Sequence, residues 1–127
     1  MSQNTETFPN AAPALDHERL DVYQRALEFH AAVLQLVPRR GFRSIRDQLE
    51  RASTGVILNI AEGAGRTSLP DKRRFYEMAR GSATESAAVL DILRIRGLLD
   101  PARHAAAREL AVRIVQMLSR LCGPPRP

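Results

Sequence analysis

Asn59, Glu62 and Glu85 are the residues of this chain whose types invite chemistry, because each stands where an apolar residue would be expected. Asn59 and Glu62 follow the run Gly55-Val-Ile-Leu58 just before a Gly63-Ala-Gly65 break, and Glu85 follows the small pair Gly81-Ser82. Helical spacing places Asn59 on a stripe with Ile45, Leu49, Ala52, Val56 and Gly63. The same spacing places Glu85 with Phe75, Met78, Ser82, Val89 and Ile92. Burying such groups unpaired costs about 2–7 kcal/mol for a neutral group and more for a charge. Partners are therefore required, and Arg51, Arg74 and Arg80 can supply them within or between subunits. Two readings follow. One is a polar binding or catalytic pocket. The other is a structural polar core of Arg51, Asn59, Glu62, Arg74 and Glu85 that fixes helix register. The second is preferred, since no nucleophile with a base is apparent nearby.

Other catalytic chemistries lack their residues. A di-metal carboxylate bundle needs Glu-x-x-His pairs, and none of His17, His30 or His104 follows a glutamate at that spacing. Only His30 falls on an expected core stripe, where a histidine is more often a packing residue than a base. Gly63-Ala-Gly65 lacks the Lys-Ser/Thr of a phosphate-binding loop and reads as a helix stop. The single cysteine, Cys122, supports neither a disulfide framework nor a zinc site and reads as an inert thiol near a frayed end. No catalytic residue, metal or cofactor is expected, and the chain is not read as an enzyme.

The elements that position these residues are helices. Of the 127 residues, 44% are hydrophobic but only 5% aromatic, a balance that favours helix packed on helix in one domain. Residues 1–15 and the Pro-rich tail 123–127 are expected to be disordered, leaving a bundle over residues 16–122. Breaks at Pro38-Arg-Arg-Gly41, Gly63–Ser68 and Gly97–Pro101 divide it into four helices. The first carries the stripe Leu20, Tyr23, Leu27, His30, Leu34 and Val37. The second is apolar almost all round. Ser68 followed by Pro70 and Asp71 starts the third, and Asp100-Pro101 starts the fourth, with Ala106, Leu110, Ile114, Met117 and Leu121 inward. Short connections specify an all-α, antiparallel up-down-up-down four-helix bundle.

In that topology the charges gather at the ends. Net charge is +5, and all but one of the basic residues are arginine. Arg39, Arg40, Arg43 and Arg46 share one end with Arg94, Arg96 and Arg103; Arg66, Lys72, Arg73 and Arg74 lie at the other, joined by Arg120 and Arg126. Arg39, Arg40, Arg43, Arg46, Arg66, Lys72 and Arg73 are the candidate contacts to an RNA or DNA phosphate backbone. Solvated helix ends, with arginines facing terminal carbonyls, explain the clusters equally well. The N-terminus has no signal-peptide pattern and no run of ~18 apolar residues occurs, so a soluble cytoplasmic protein is expected.

The stretches Val22-Tyr-Gln-Arg-Ala26, Asp47-Gln-Leu-Glu-Arg-Ala52, Asn59-Ile-Ala-Glu-Gly63, Gly65-Arg66, Arg74-Phe75 and Ala79-Arg-Gly-Ser82 with Glu85 resemble a bacterial four-helix bundle family. That family is named after proteins encoded in 23S ribosomal RNA intervening sequences, and the resemblance covers roughly residues 19 to 121. It implies a homopentamer without established enzymatic activity. Relatives that accompany diversity-generating retroelements look like basic pentameric barrels that bind nucleic acid and a reverse transcriptase, so both enter as candidate partners. Asn59, Glu62, Arg74, Gly81, Ser82 and Glu85 match the family signature, which reads as architecture. Ala64 and Tyr23 depart from it, where an aromatic and a tryptophan are usual.

Overall fold

The computed structural model of the chain describes residues 12–36 and 43–125. A 3₁₀ turn, Asp16–Arg19, leads into α1 (Asp21–Leu36), α2 (Arg43–Ala64), α3 (Leu69–Ile95) and α4 (Pro101–Cys122). Each helix packs on its two neighbours in the order α1, α2, α3, α4 and back to α1, most extensively α2 on α3 and α3 on α4. This is the antiparallel four-helix bundle that the spacing predicts. Among the described residues there is no strand.

Local signals set the boundaries. Ser68 Oγ accepts the Asp71 amide at 3.2 Å, with Pro70 in the first turn of α3. Asp100 Oδ1 accepts the Arg103 amide at 2.8 Å ahead of α4. α3 ends in a Schellman arrangement: Leu98 N–H donates to Leu93 O, Gly97 N–H donates to Arg94 O, and Gly97 takes φ +75°, which a side chain would resist. The 3₁₀ turn is tied down by Glu18 Oε1, which accepts the amides of Ala14 and Leu15 at 2.8 Å each, so hydrogen-bonded structure begins before residue 16.

The core centres on Phe29, Leu49, Ile60, Leu90, Leu93, Ile114 and Leu118, all with their surface removed from water, and Leu99 of the α3–α4 connection is buried with them. In α2 the expected stripe holds for Ile45, Leu49, Ala52, Val56 and Gly63. Elsewhere the buried stripe is a neighbouring one. α1 buries Val22, Ala26, Phe29, Val33 and Leu36, leaving Tyr23, Leu27 and His30 half-buried and Leu34 exposed; Val37 lies outside the described residues. α3 buries Tyr76, Ala79, Ala83, Ser86, Val89, Leu90 and Leu93, while Met78, Glu85 and Ile92 face out. α4 buries His104, Ala107, Ala111, Ile114, Leu118 and Cys122, and Ala106 is exposed.

The cause is close packing. Alanine and serine let helix backbones approach, and the larger side chains of the adjacent stripe then remain at the seams or outside. Gly63 shows how tight the α2–α3 seam is: a Cβ there would lie 2.9 Å from the Tyr76 ring and 3.0 Å from Phe75 Cβ. Gly55 sits similarly, with Ser82 Oγ 3.0 Å from where its Cβ would be.

Candidate functional site

The residues expected to form a polar core lie mainly on the outside of α2 and α3. Arg51, Glu62, Arg74 and Glu85 are exposed and Asn59 is half-buried. Asn59 Nδ2 donates to Gly55 O of its own helix at 2.9 Å. Glu62 pairs with Arg66 one turn on, at 2.8 Å. Arg74 lies over the Phe75 ring, 4.5 Å from its centroid, and the Arg66 guanidinium approaches the same ring at 4.7 Å. Within one chain these side chains make no buried network. The neighbouring register of α3 turns Glu85 to solvent, where a carboxylate costs nothing to keep charged.

Beside Glu85 runs a stripe of exposed α3 positions spaced by three and four: Met78, Gly81, Glu85, Ala88, Ile92 and Ile95. Leu58 of α2 is also exposed, at 62%. Among the described residues, nothing beyond the adjacent helix backbone comes within 4 Å of a Cβ built on Gly81.

The polar groups that are buried are Ser53, Ser86 and His104. Ser86 Oγ donates to Ser82 O at 2.9 Å. His104 Nε2 sits 2.7 Å from Asp91 Oδ1 and joins α4 to α3. Its place on the stripe with Ala107, Ala111, Ile114 and Leu118 was legible once the alanines are taken as core. His30 Nδ1 lies 2.7 Å from Ser53 Oγ, so a serine does stand beside a histidine, contrary to the sequence expectation.

That distance is one at which a base activates a nucleophile. The surroundings do not allow it. Ser53 has no accessible surface, and its Oγ lies 3.1 Å from Glu50 O, to which it donates. With the hydroxyl proton placed there, His30 Nδ1 is the donor to Ser53 Oγ. Burial lowers the His30 pKa below its ordinary value, opposed by the nearby Glu50 carboxylate. Cys122 closes α4 as a buried core residue rather than a frayed one, and burial chiefly pushes its thiol up, which keeps it protonated. Among the described residues no three His, Cys, Asp or Glu side chains are grouped to hold a metal.

The two basic ends differ in how their cations are engaged. Arg39, Arg40 and Arg126 lie outside the described residues. At the α3–α4 end Arg43 is almost fully exposed, with Nε 4.0 Å from Asp47, and Arg94 and Arg96 are exposed. Arg46 is more enclosed, its Nε 3.9 Å from Glu50, and Arg103 Nη2 donates to Gln35 O at the end of α1. At the α2–α3 end Lys72 Nζ donates to Ala64 O at 2.8 Å, capping the carbonyl end of α2, so part of its donor capacity serves the fold. Arg73 packs against Gly123, where a Cβ would meet its guanidinium at 2.8 Å, and the Arg73 Nε is buried without a hydrogen-bond partner among the described residues.

Two adjoining hollows lie beside Arg66. One, of about 540 Å³, is lined by His17, Leu58, Ala61, Glu62, Gly65 and Arg66. The other, of about 390 Å³, lies between the 3₁₀ turn, the end of α2 and the start of α3. Arg19, Thr67, Lys72 and Tyr76 line it together with Arg66. Sequence reasoning missed Arg19 and Tyr76, because only the fold brings the 3₁₀ turn against the α2–α3 corner.

This geometry has a counterpart among solved structures. The fold is similar to that of a protein of unknown function from the S23 ribosomal protein family of Bacteroides thetaiotaomicron VPI-5482, with a TM-score of 0.76 at 20% sequence identity, over 81% of this chain and 99% of that one. No protein with a curated description matches. The family model for the 23S rRNA-intervening sequence protein matches residues 18–120, from the 3₁₀ turn almost to the end of α4, and the chain belongs to that family.

Proposed function

We propose that this protein is a non-enzymatic, cytoplasmic homo-oligomer, a pentamer as the family resemblance implies, whose basic surface contacts RNA or DNA through the phosphate backbone. Gly81 carries the assembly part. A glycine inside a 27-residue helix costs about 1 kcal/mol relative to alanine. Yet a Cβ added at Gly81 would meet no described residue beyond its own stretch of helix, so the packing within the chain does not call for a glycine there. A second copy lying close against α3 would supply the missing reason, with the exposed Met78 and Ile92 of the same helix side as apolar contacts. Arg51, Glu62, Arg74 and Glu85 lie on the outer sides of the same two helices, where pairing between subunits replaces pairing within the core.

The nucleic-acid part is supported by the +5 charge of each chain and by Arg43, Arg94 and Arg96, which project from one end. Assembly would repeat that end around a ring and add weak contacts together. The engagement of Lys72, Arg66 and Arg103 inside the chain favours a second reading, a homo-oligomeric scaffold that binds protein partners only. A reverse transcriptase is a candidate partner in either case.

Sedimentation at micromolar concentration tests assembly: several chains per particle are expected, and a monomer would overturn it. A mobility-shift titration tests the surface. If ~6–10 phosphates are neutralised, affinity falls roughly 10³- to 10⁵-fold between 50 and 200 mM salt. No retardation at low salt by an assembled protein would leave the scaffold.

A further inference from the structure

We propose that the corner between the 3₁₀ turn, the end of α2 and the start of α3 is a binding site for a phosphate group. Three cations reach the hollow there from three separate elements: Arg19 from the turn, Arg66 from just beyond α2, and Lys72 from the first turn of α3. Thr67 and Tyr76 add hydroxyls to its wall, and Asp16 is the one carboxylate that lines it. Its volume, about 390 Å³, falls in the range of small-ligand sites.

The convergence of those cations points to an anionic ligand, and Tyr76 adds a phenol beside them. The residue is 6% exposed, yet its hydroxyl is not among the buried atoms that lack a partner, so it reaches the open side of the hollow. The hydroxyls of the buried Ser53 and Ser86 each donate to a carbonyl of their own helix. A tyrosine cannot reach back to its own helix in that way, which leaves the phenol free to bond a molecule in the hollow. Tyr76 lines the hollow, where an anionic ligand would offer its hydroxyl an acceptor. Burial holds its pKa above the ordinary value, so the phenol keeps the proton it would donate.

The other groups support the same ligand. Arg66 Nη2 is held by Glu62 at 2.8 Å, but its Nε is buried without a hydrogen-bond partner among the described residues and is left to a ligand. Lys72 has three protons, of which Ala64 O takes one at close range. A carboxylate is satisfied by a single guanidinium, whereas a phosphate presents more acceptor oxygens and up to two charges, matching convergent cations and hydroxyls. The phosphate can arrive on a free nucleotide or within a nucleic-acid backbone, and the site does not depend on the nucleic-acid reading above.

The chain has two tyrosines, Tyr23 and Tyr76, so ¹³C-tyrosine labelling gives a simple spectrum in which to follow binding. Adenosine monophosphate and a single-stranded oligoribonucleotide are the two probes, with adenosine as the control lacking phosphate. A phosphate-bearing probe is expected to move the Tyr76 resonances and adenosine to leave them in place. Tyr76→Phe keeps the ring against Gly63 and removes only the hydroxyl, so its melting temperature should match the wild type while affinity falls roughly 10-fold or more. Arg19→Glu should abolish binding. A response to the nucleotide assigns the site to free phosphoesters, and a response to the oligoribonucleotide alone assigns it to the backbone; both uphold the site. The proposal is overturned if neither probe moves Tyr76, or if binding survives unchanged in both variants.

Discussion

The inner and outer faces of α3 carry opposite kinds of residue from those a simple view of burial suggests. The inner face is largely small, with Ala79, Ala83 and Ser86 between Tyr76 and the Leu90–Leu93 pair. The outer face carries Met78, Ile92 and Ile95, with Gly81 and Ala88 among them. Small residues inside mean that α2 and α4 are already close. Large apolar and small residues outside, at helical spacing, are the pattern that the proposed assembly would bury. The contrast with α4 is direct: its exposed positions include Arg108, Glu109, Arg113, Gln116 and Arg120, an ordinary solvated face.

The largest effect that separates the two faces comes from adjacent residues. Leu93 is fully buried, and Leu93→Ala should cost about 2–5 kcal/mol through lost burial and a cavity. Ile92, one position away and 40% exposed, should cost the chain itself only roughly 0.5 kcal/mol when cut to alanine. Chemical denaturation of dilute protein would measure both. Equal costs would break the distinction between the faces.

A glycine pair gives the next effect. Gly63→Ala pushes a methyl into the Tyr76 ring at 2.9 Å and should destabilise by about 1–3 kcal/mol. Gly81→Ala meets nothing within 4 Å, and in the separated chain should stabilise by about 0.8–1.0 kcal/mol through helix propensity. If a second copy packs there, the same change reduces assembly. Melting at high dilution and sedimentation at high concentration should then move in opposite directions, and no change in sedimentation would remove Gly81 from the interface.

Much of the fold was legible because its signals are local. Ser68 with Asp71, Asp100 with Pro101, and Gly97 each act within a turn of the helix they bound. The choice of buried stripe was not legible. α1 and α3 carry two apolar stripes side by side, and which one turns inward depends on how closely the neighbouring helix can approach. Weight given to Leu27, Met78 and Ile92 over Ala26, Ala79 and Ala83 selects the wrong one. The same shift hid His104 and placed Glu85 inside. The Tyr76 corner escaped for a different reason: Arg19 and Lys72 are far apart in the chain and meet only through the tertiary fold.

Polar groups sharpen the contrast further, since a buried one responds to pH and an exposed one has little to lose. Burial depresses the folded-state pKa of His30 below 6.5, so the unfolded chain takes up that proton first as the pH falls. The stability associated with neutral His30 is therefore complete above about pH 6.5 and is lost as the pH drops below it towards the folded value. Melting temperature should fall more steeply over that window in the wild type than in His30→Gln. Parallel pH profiles would show that the histidine feels solvent in both states.

Glu85→Ala should have the smallest effect on the chain itself. Glu85 is exposed and makes no hydrogen bond or ion pair with any described residue, so its removal leaves no buried arginine behind. Substitutions at such positions usually stay within about 0.5 kcal/mol, and alanine is the better helix former. The dilute protein should melt at the wild-type temperature. If copies assemble through this face the outcome would differ, because a carboxylate enclosed between α3 and a neighbouring copy would need a cationic partner, and taking it away would leave that partner unpaired. Loss of assembly without loss of chain stability places Glu85 at a seam between copies. Loss of chain stability would mean that the carboxylate is held inside the bundle after all. No effect on either would leave Met78, Gly81 and Ile92 as the seam and Glu85 as one of its solvated edges.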